Sequence, residues 1–185
     1  MFSTIEFPKG TKARIWIDEL PDSRIDASYV IENKVATYCK EGWNVNKIAL
    51  ELYLPKRHHS NYGLLGIETL STREQNTLFA NIRSNNSNSK LYENTMGYGG
   101  KTVYCGLLDE YAETINRKIL DFALRNSNLP SGTIDFIAGA HCEIGSSKAV
   151  FGMITEILLS LLYLNKKEYS DMEIQKHIDN LLIFP

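Results

Sequence analysis

The chain has no strong excess of either charge. Its 185 residues contain 20 Lys and Arg against 22 Asp and Glu, so the formal net charge is −2. Nucleic-acid-binding proteins usually carry a basic stripe, because Lys and Arg make their phosphate contacts. The composition therefore argues against a nucleic-acid partner.

Cysteine is scarce as well. Cys39, Cys105 and Cys142 are an odd number, and no two of them stand at a Cys-x-x-Cys spacing. A disulfide framework is therefore not expected, and the pattern favours a reducing cytosol. We also expect no metal ion and no other cofactor, because no group of potential ligands stands at a recognisable spacing.

The sequence lacks the segments that direct a chain into or across a membrane. The first ten residues have no basic start followed by an apolar run, as a signal peptide would have. The longest apolar stretch, Ala149–Leu164, is interrupted by polar residues and is shorter than the ~20 apolar residues that span a bilayer. We therefore expect a cytoplasmic protein with no membrane partner.

Catalytic motifs are missing too. The phosphate-loop pattern Gly-x-x-x-x-Gly-Lys-Ser/Thr does not occur. The glycine-rich stretch Met96–Lys101 precedes a predicted strand instead of opening a helix, which is the wrong context for a phosphate loop. No nucleophile triad or carboxylate pair stands out. These absences exclude GTP hydrolysis and predict a protein that is not an enzyme.

The first 90 residues are rich in predicted strands. Their apolar residues cluster in short β-branched runs, several of which flank turn residues. Two hairpins are predicted, Thr4–Phe7 with Ala13–Ile17 and Tyr29–Ile31 with Val35–Tyr38. Further strands are predicted at Val45–Leu54, Leu64–Ile67 and Asn76–Ile82, followed by a loop at Ser84–Ser89.

Residues 101–166 predict a strand–helix–strand–helix unit. Apolar residues from Leu108 to Ala123 recur at intervals of three and four, which is the spacing of one helix face. The predicted strands are Lys101–Cys105 and Thr133–Ile137, and Gly139–Gly145 is predicted as a loop.

Serine residues mark the starts of two more helices. Ser146 or Ser147 can cap a second, more apolar helix by accepting a hydrogen bond from a free backbone N–H. Ser170 and Glu173 stand at the spacing of a capping box, which predicts a short C-terminal helix over residues 170–182.

Two motifs in this unit resemble the fourth domain of elongation factor G. The first is Gly106-Leu-Leu-Asp-Glu-Tyr111, which looks like the Gly-x-x-x-Glu-Tyr stretch that opens a helix in that domain. The second is Gly139-Ala-His-Cys-Glu-Ile-Gly-Ser-Ser147, which is similar to its strand–loop–helix segment. The resemblance covers roughly residues 106–166.

The resemblance implies an α/β fold in which a β-sheet carries two main helices on one face, joined by a left-handed βαβ crossover. A ribosomal small-subunit protein and several kinases and ATPases share that fold. No linker-like break precedes the loop at 84–89, so we expect a single domain over residues 1–185. Two arrangements of the first 90 residues stay open, a continuation of the same sheet or a separate lobe.

Seven side chains are the candidates for contact with a partner. They lie in the predicted loop before the second helix, in the first turn of the first helix, and in a basic run after Pro55. They are His141, Glu143, Asp109, Glu110, Arg57, His58 and His59. Each group also has a structural explanation, namely a tight turn, a favourable contact with the helix dipole and a solvated charge run.

His141 and Cys142 raise one chemical alternative, because a thiol beside a histidine at a helix start can have a lowered pKa. Adjacent residues in an extended segment point to opposite sides, however, so we expect the two side chains not to touch.

These observations predict a small protein-binding protein. Mild acidity, the missing catalytic motif and an unmatched first half are typical of immunity proteins, which neutralise an interbacterial toxin by direct binding. The alternative, implied by the resemblance to a translation factor, is a protein that binds RNA or the ribosome.

Overall fold

The structure is a computed structural model, and it describes residues 2–37, 39, 42–55, 60–72, 76–87, 90–97, 102–126, 128–164 and 170–182. Eight strands and three α-helices occur in these ranges. The strands are β1 (Phe2–Glu6), β2 (Lys12–Ile17), β3 (Tyr29–Ala36), β4 (Lys47–Pro55), β5 (Ser60–Ser71), β6 (Thr77–Ser84), β7 (Val103–Cys105) and β8 (Gly132–Cys142). The helices are α1 (Asp109–Arg125), α2 (Lys148–Leu162) and α3 (Asp171–Leu181).

All eight strands belong to one mixed sheet, in the order β1-β2-β4-β5-β8-β6-β3, with β7 also paired to β8. The fold is therefore α/β, as predicted, and the first 90 residues share one sheet with the rest of the chain. β8 is antiparallel to β5 and parallel to β6. Because α1 lies between β6 and β8 along the chain, these elements form a βαβ crossover, whose left-handedness stays a prediction.

The helices cover one face of the sheet. α1 packs on β3 and β6, α2 packs on β4 and β5, and the two helices contact each other. The buried apolar side chains of α1, Tyr111, Ala112, Ile115 and Ile119, have the predicted helical spacing. α3 packs on α2 through Ile174 and Ile178. Burying these stripes is what holds the two layers together.

The opposite face, here called the outer face, is covered along part of its area. A second apolar cluster lies there, with Trp16, Tyr62 and Leu64 among its members. Residues 90–97, here called the strap, run over this cluster and bury Tyr92 and Met96. The strap is tied to the sheet by a hydrogen bond of 2.9 Å from the Tyr92 N–H to the Val103 carbonyl.

Two sequence predictions were wrong. The predicted hairpin at 29–38 is one continuous strand, β3, whose polar residues are tolerated because β3 lies at the edge of the sheet. The predicted loop at 139–145 is strand as far as Cys142, and only Glu143–Gly145 form the turn. This part of the central strand was not predicted, because the small residues Gly139 and Ala140 do not show the alternating apolar pattern of a strand.

Two predicted helix caps and one predicted hairpin were confirmed. Ser147 caps α2 and Ser170 caps α3, each by accepting a bond from a backbone N–H three residues on. The first hairpin also forms, with β1 and β2 antiparallel. In the described part of the chain, no helix combines the length and the apolar character needed to cross a bilayer.

Candidate functional site

Several candidate residues come together at one end of the sheet, where β8 ends and α1 and α2 begin. Glu143 and Ile144 lie in the turn after β8, and both are exposed. The Lys148 ammonium at the start of α2 lies 3.4 Å from a carboxylate oxygen of Glu110 at the start of α1. We call Glu110, Glu143, Ile144 and Lys148 the sheet-end surface.

The turn that carries Glu143 and Ile144 is held by hydrogen bonds on both sides. The Ser146 hydroxyl accepts a bond from the Cys142 N–H at 2.9 Å and donates one to the Tyr62 carbonyl at 2.7 Å. The Tyr62 N–H donates to the Gly145 carbonyl at 3.0 Å. Contacts within the chain therefore fix the turn to β5 before α2 starts.

Ile144 is the apolar side chain that this turn presents to solvent. It is 72% exposed, between the exposed Glu143 and the start of α2. Its exposure leaves apolar area in water at a cost of about 25 cal/mol per Å². A fixed turn that displays such a side chain can serve as an anchor for a protein contact.

Asp109 has a structural role within this end of the molecule. One carboxylate oxygen accepts a hydrogen bond from the Ser84 hydroxyl at 2.7 Å, and the other accepts one from the Asn86 amide at 2.6 Å. Its backbone N–H donates to the Asn86 side-chain oxygen at 3.0 Å. Asp109 thus ties the end of β6 to the start of α1, and both of its oxygens are already engaged.

His141 is buried within β8 on the helix face of the sheet. Its Nδ1 lies 3.2 Å from the Gly106 carbonyl, and its ring contacts those of Tyr104 and Tyr111. Burial lowers the pKa of this imidazole, and the contact with Gly106 opposes that shift. We correct its interpretation from a surface contact to a core residue that joins β7, β8 and α1.

Cys142 belongs to the apolar cluster on the outer face, so His141 and Cys142 point to opposite sides, as expected for neighbours in a strand. The arrangement does not bring the thiol to the imidazole. The three remaining candidates, Arg57, His58 and His59, lie outside the described residues.

The sequence analysis missed a polar cluster around Glu51, which is fully buried on the outer face. One carboxylate oxygen accepts hydrogen bonds from the Tyr62 hydroxyl at 2.8 Å, the Met96 N–H at 2.8 Å and the Thr95 hydroxyl at 3.2 Å. The other lies 3.4 Å from the Arg14 guanidinium. A signal was available, since Glu51 interrupts the otherwise apolar run of β4.

The Glu51 cluster holds the strap in place. Arg14 also donates to the Asn94 carbonyl at 2.8 Å, so two side chains of the sheet bind the three consecutive strap residues Asn94, Thr95 and Met96. Burial raises the pKa of Glu51, and the hydrogen bonds from Met96 and Tyr62 offset part of that shift. A raised carboxyl pKa can indicate a general acid, but this carboxyl has no exposed surface through which a substrate could reach it.

A further concave region lies between the two long helices. A groove of about 610 Å³ runs between α1 and α2, and Lys118 crosses it to bind Glu156 at 2.9 Å. Arg125 lies 3.5 Å from the same carboxylate, so two cations share one acidic partner at this groove. Among the described residues, no group of three or more His, Cys, Asp or Glu is placed to hold a metal ion.

Comparison of the chain with protein-family models, with curated proteins and with solved structures found no match. The resemblance of residues 106–166 to a translation-factor domain therefore stays a prediction.

Proposed function

We propose that this protein binds another protein through the sheet-end surface, in the manner of an immunity protein that neutralises a toxin. The observation that carries the proposal is the turn at Glu143–Gly145, which displays Ile144 at 72% exposure while being hydrogen-bonded to β5. Binding to a preformed surface avoids the entropy cost of ordering a loop. A few well-placed side chains on such a surface can supply most of the binding free energy.

The charges around Ile144 favour a basic partner. Glu143 and Glu110 are exposed, and Lys148 offsets one of them. Acidic side chains at the rim of an apolar contact accelerate association with a basic protein and disfavour acidic ones. Many toxins of interbacterial systems are basic nucleases, which fits this chemistry.

The choice of binding over catalysis rests on accessibility. The carboxyl of Glu51 and the imidazole of His141 are two of the described groups that combine a shifted pKa with polar contacts in the interior, and both are buried. Their hydrogen bonds join elements of this chain to one another. Such groups stabilise a scaffold, whereas the exposed sheet-end surface is free to meet a partner.

The experiment is co-expression of the full chain with the product of the adjacent gene. We expect the neighbour to be toxic alone, to be tolerated together with this protein, and to co-purify with it as a complex. Ile144→Ser is expected to weaken protection. Met172→Ser is the matched control, because Met172 is 75% exposed on α3 and lies outside the sheet-end surface.

Two charge-reversal variants test the electrostatic contribution to binding separately from the apolar contact made by Ile144. Glu143→Lys is expected to slow association with a basic partner, and Glu68→Lys on β5 is its control. Glu68 lies six residues along β5 from Tyr62, about 20 Å away. Co-sedimentation with ribosomes, in the absence of a toxic neighbour, would instead support the RNA-binding alternative and sink this proposal.

A further inference from the structure

The geometry points to a second interaction surface, the free edge of β3, and to a second copy of this chain as its partner. β3 is the last strand of the sheet path, and among the described residues no strand pairs with its outer edge. It is eight residues long, and four of them are exposed on the outer face. We propose that two copies pair antiparallel through β3 about a twofold axis, joining their sheets edge to edge.

The backbone of β3 is arranged for such a pairing. Thr37 N–H donates to the Asn76 carbonyl at 3.0 Å, in the same register that pairs β3 with β6. Hydrogen bonding alternates along an antiparallel strand, so the backbone N–H and C=O groups of the odd-numbered residues of β3 point toward β6. The N–H and C=O groups of the even-numbered residues therefore point to the open edge. These are Val30, Glu32, Lys34 and Ala36.

One register makes this edge complementary to itself. If the twofold axis passes through Asn33, Glu32 of one copy lies opposite Lys34 of the other, twice, and Val30 lies opposite Ala36, twice. Opposite charges directly across an antiparallel pair are attractive. A shift of two residues in either direction places Glu32 opposite Glu32 or Lys34 opposite Lys34, so charge selects the register.

The helix above the edge fits the same axis. α1 lies over both β3 and β6, and the Asn116 side chain hydrogen-bonds Asn33. With strands about 4.8 Å apart, the α1 helices of two edge-paired copies would lie about 10 Å apart. Helices pack against each other at 8–10 Å, so the proposed dimer closes the helix layer as well as the sheet.

Exposed apolar side chains of α1 gain a partner in this arrangement. Leu120 and Leu124 follow Asn116 at intervals of four, so they lie on the same side of the helix, over the later part of β3. Leu124 is 87% exposed. The twofold axis brings Tyr29 of the second copy, itself 56% exposed, to this end of β3.

The other edge strand lacks these features. β1 has five residues. Its hydrogen bonding with β2 leaves the backbone N–H and C=O groups of Phe2, Thr4 and Glu6 pointing to the open edge of the sheet. A symmetric pairing would place Phe2 opposite Glu6 and Thr4 opposite itself, with no opposite charges in contact. Self-association is therefore expected at β3 and not at β1.

The test is sedimentation equilibrium of the full chain with a charge-swap series. We expect wild type to dimerise, and we expect Glu32→Lys and Lys34→Glu each to raise the dimer dissociation constant about tenfold or more, because two attractive pairs become repulsive. The double variant Glu32→Lys/Lys34→Glu is expected to dimerise like wild type. An equimolar mixture of the two single variants is expected to form a heterodimer.

Leu124→Ser is expected to weaken the same dimer, with Met172→Ser on α3 as the matched control. Unchanged circular dichroism in every variant shows that folding is retained, since Glu32, Lys34 and Leu124 are exposed. A wild-type chain that stays monomeric up to about 1 mM overturns the proposal. So does a dimer in which the double variant fails to restore what the single variants lose.

Discussion

Glu51 occupies a position in β4 where its neighbours are apolar, and it is fully buried there. An isolated buried carboxylate would be costly, but Glu51 accepts three hydrogen bonds and lies near Arg14. The same contacts fix the strap. Sequence spacing could not have indicated the contacts with the strap, because Thr95 and Met96 lie more than 40 residues away from Glu51 along the chain.

Glu51→Gln should change how stability depends on pH. Burial raises the folded pKa above the ordinary value of 4.5. The contribution of such a group to stability is full below the unfolded pKa and is lost as pH rises through the folded pKa. The free energy of unfolding of the variant, minus that of wild type, is therefore expected to increase from pH of about 4 to about 7. Urea titrations across that range measure it, and a flat or falling difference would contradict the assignment.

Asp109 and Glu110 are adjacent, yet the structure gives them different roles. Asp109→Ala leaves the Ser84 hydroxyl and the Asn86 amide without their acceptor, so we expect a loss of about 2 kcal/mol in the free energy of unfolding. Glu110→Ala removes a half-exposed ion pair with Lys148, which is worth at most about 1 kcal/mol. Chemical denaturation of both variants is the measurement. Equal losses would show that Asp109 is not the tie between β6 and α1.

At the scale of elements, the predictable parts were those set by local spacing. The stripe of α1 and the caps of α2 and α3 follow from residues three or four apart, and they were confirmed. β3 was misread because Glu32–Lys34 look like a turn, although an edge strand tolerates them. The extension of β8 through Cys142 depends on pairing with β5 and β7, which lies outside any local window.

The start of β8 supplies a sharp test of the sheet. Gly132 has φ of 133°, and a Cβ there would lie 2.1 Å from the Leu70 carbonyl oxygen. Gly132→Ala is expected to cost about 3 kcal/mol or more and to disturb the β5–β8 pairing. Gly106 has φ of 118°, but a Cβ there would meet only the Asn85 carbonyl oxygen, at an ordinary 3.9 Å, so Gly106→Ala is the control, with about 1–2 kcal/mol of backbone strain alone. Thermal or urea unfolding compares them, and an equal cost would refute the proposed close approach.

For the molecule as a whole, the packing of its described elements decides which surfaces are covered. The helices cover one face of the sheet, and the strap covers part of the other. Among the described residues, the sheet-end surface and the outer edge of β3 stay uncovered, and they share no residue. A protein can thus self-associate through β3 while the turn at Glu143–Gly145 meets a different partner. Sequence reasoning found Glu143 and Glu110 at this surface but not Ile144, whose exposure depends on where β8 ends.

The most direct measurement of the central claim is calorimetric titration of the purified chain with the purified product of the adjacent gene. We expect saturable binding, with Ile144→Ser raising the dissociation constant about tenfold or more and Met172→Ser leaving it unchanged. No binding by the wild-type chain, or equal affinity for the Ile144→Ser and Met172→Ser variants, would contradict the assignment of the sheet-end surface as the contact.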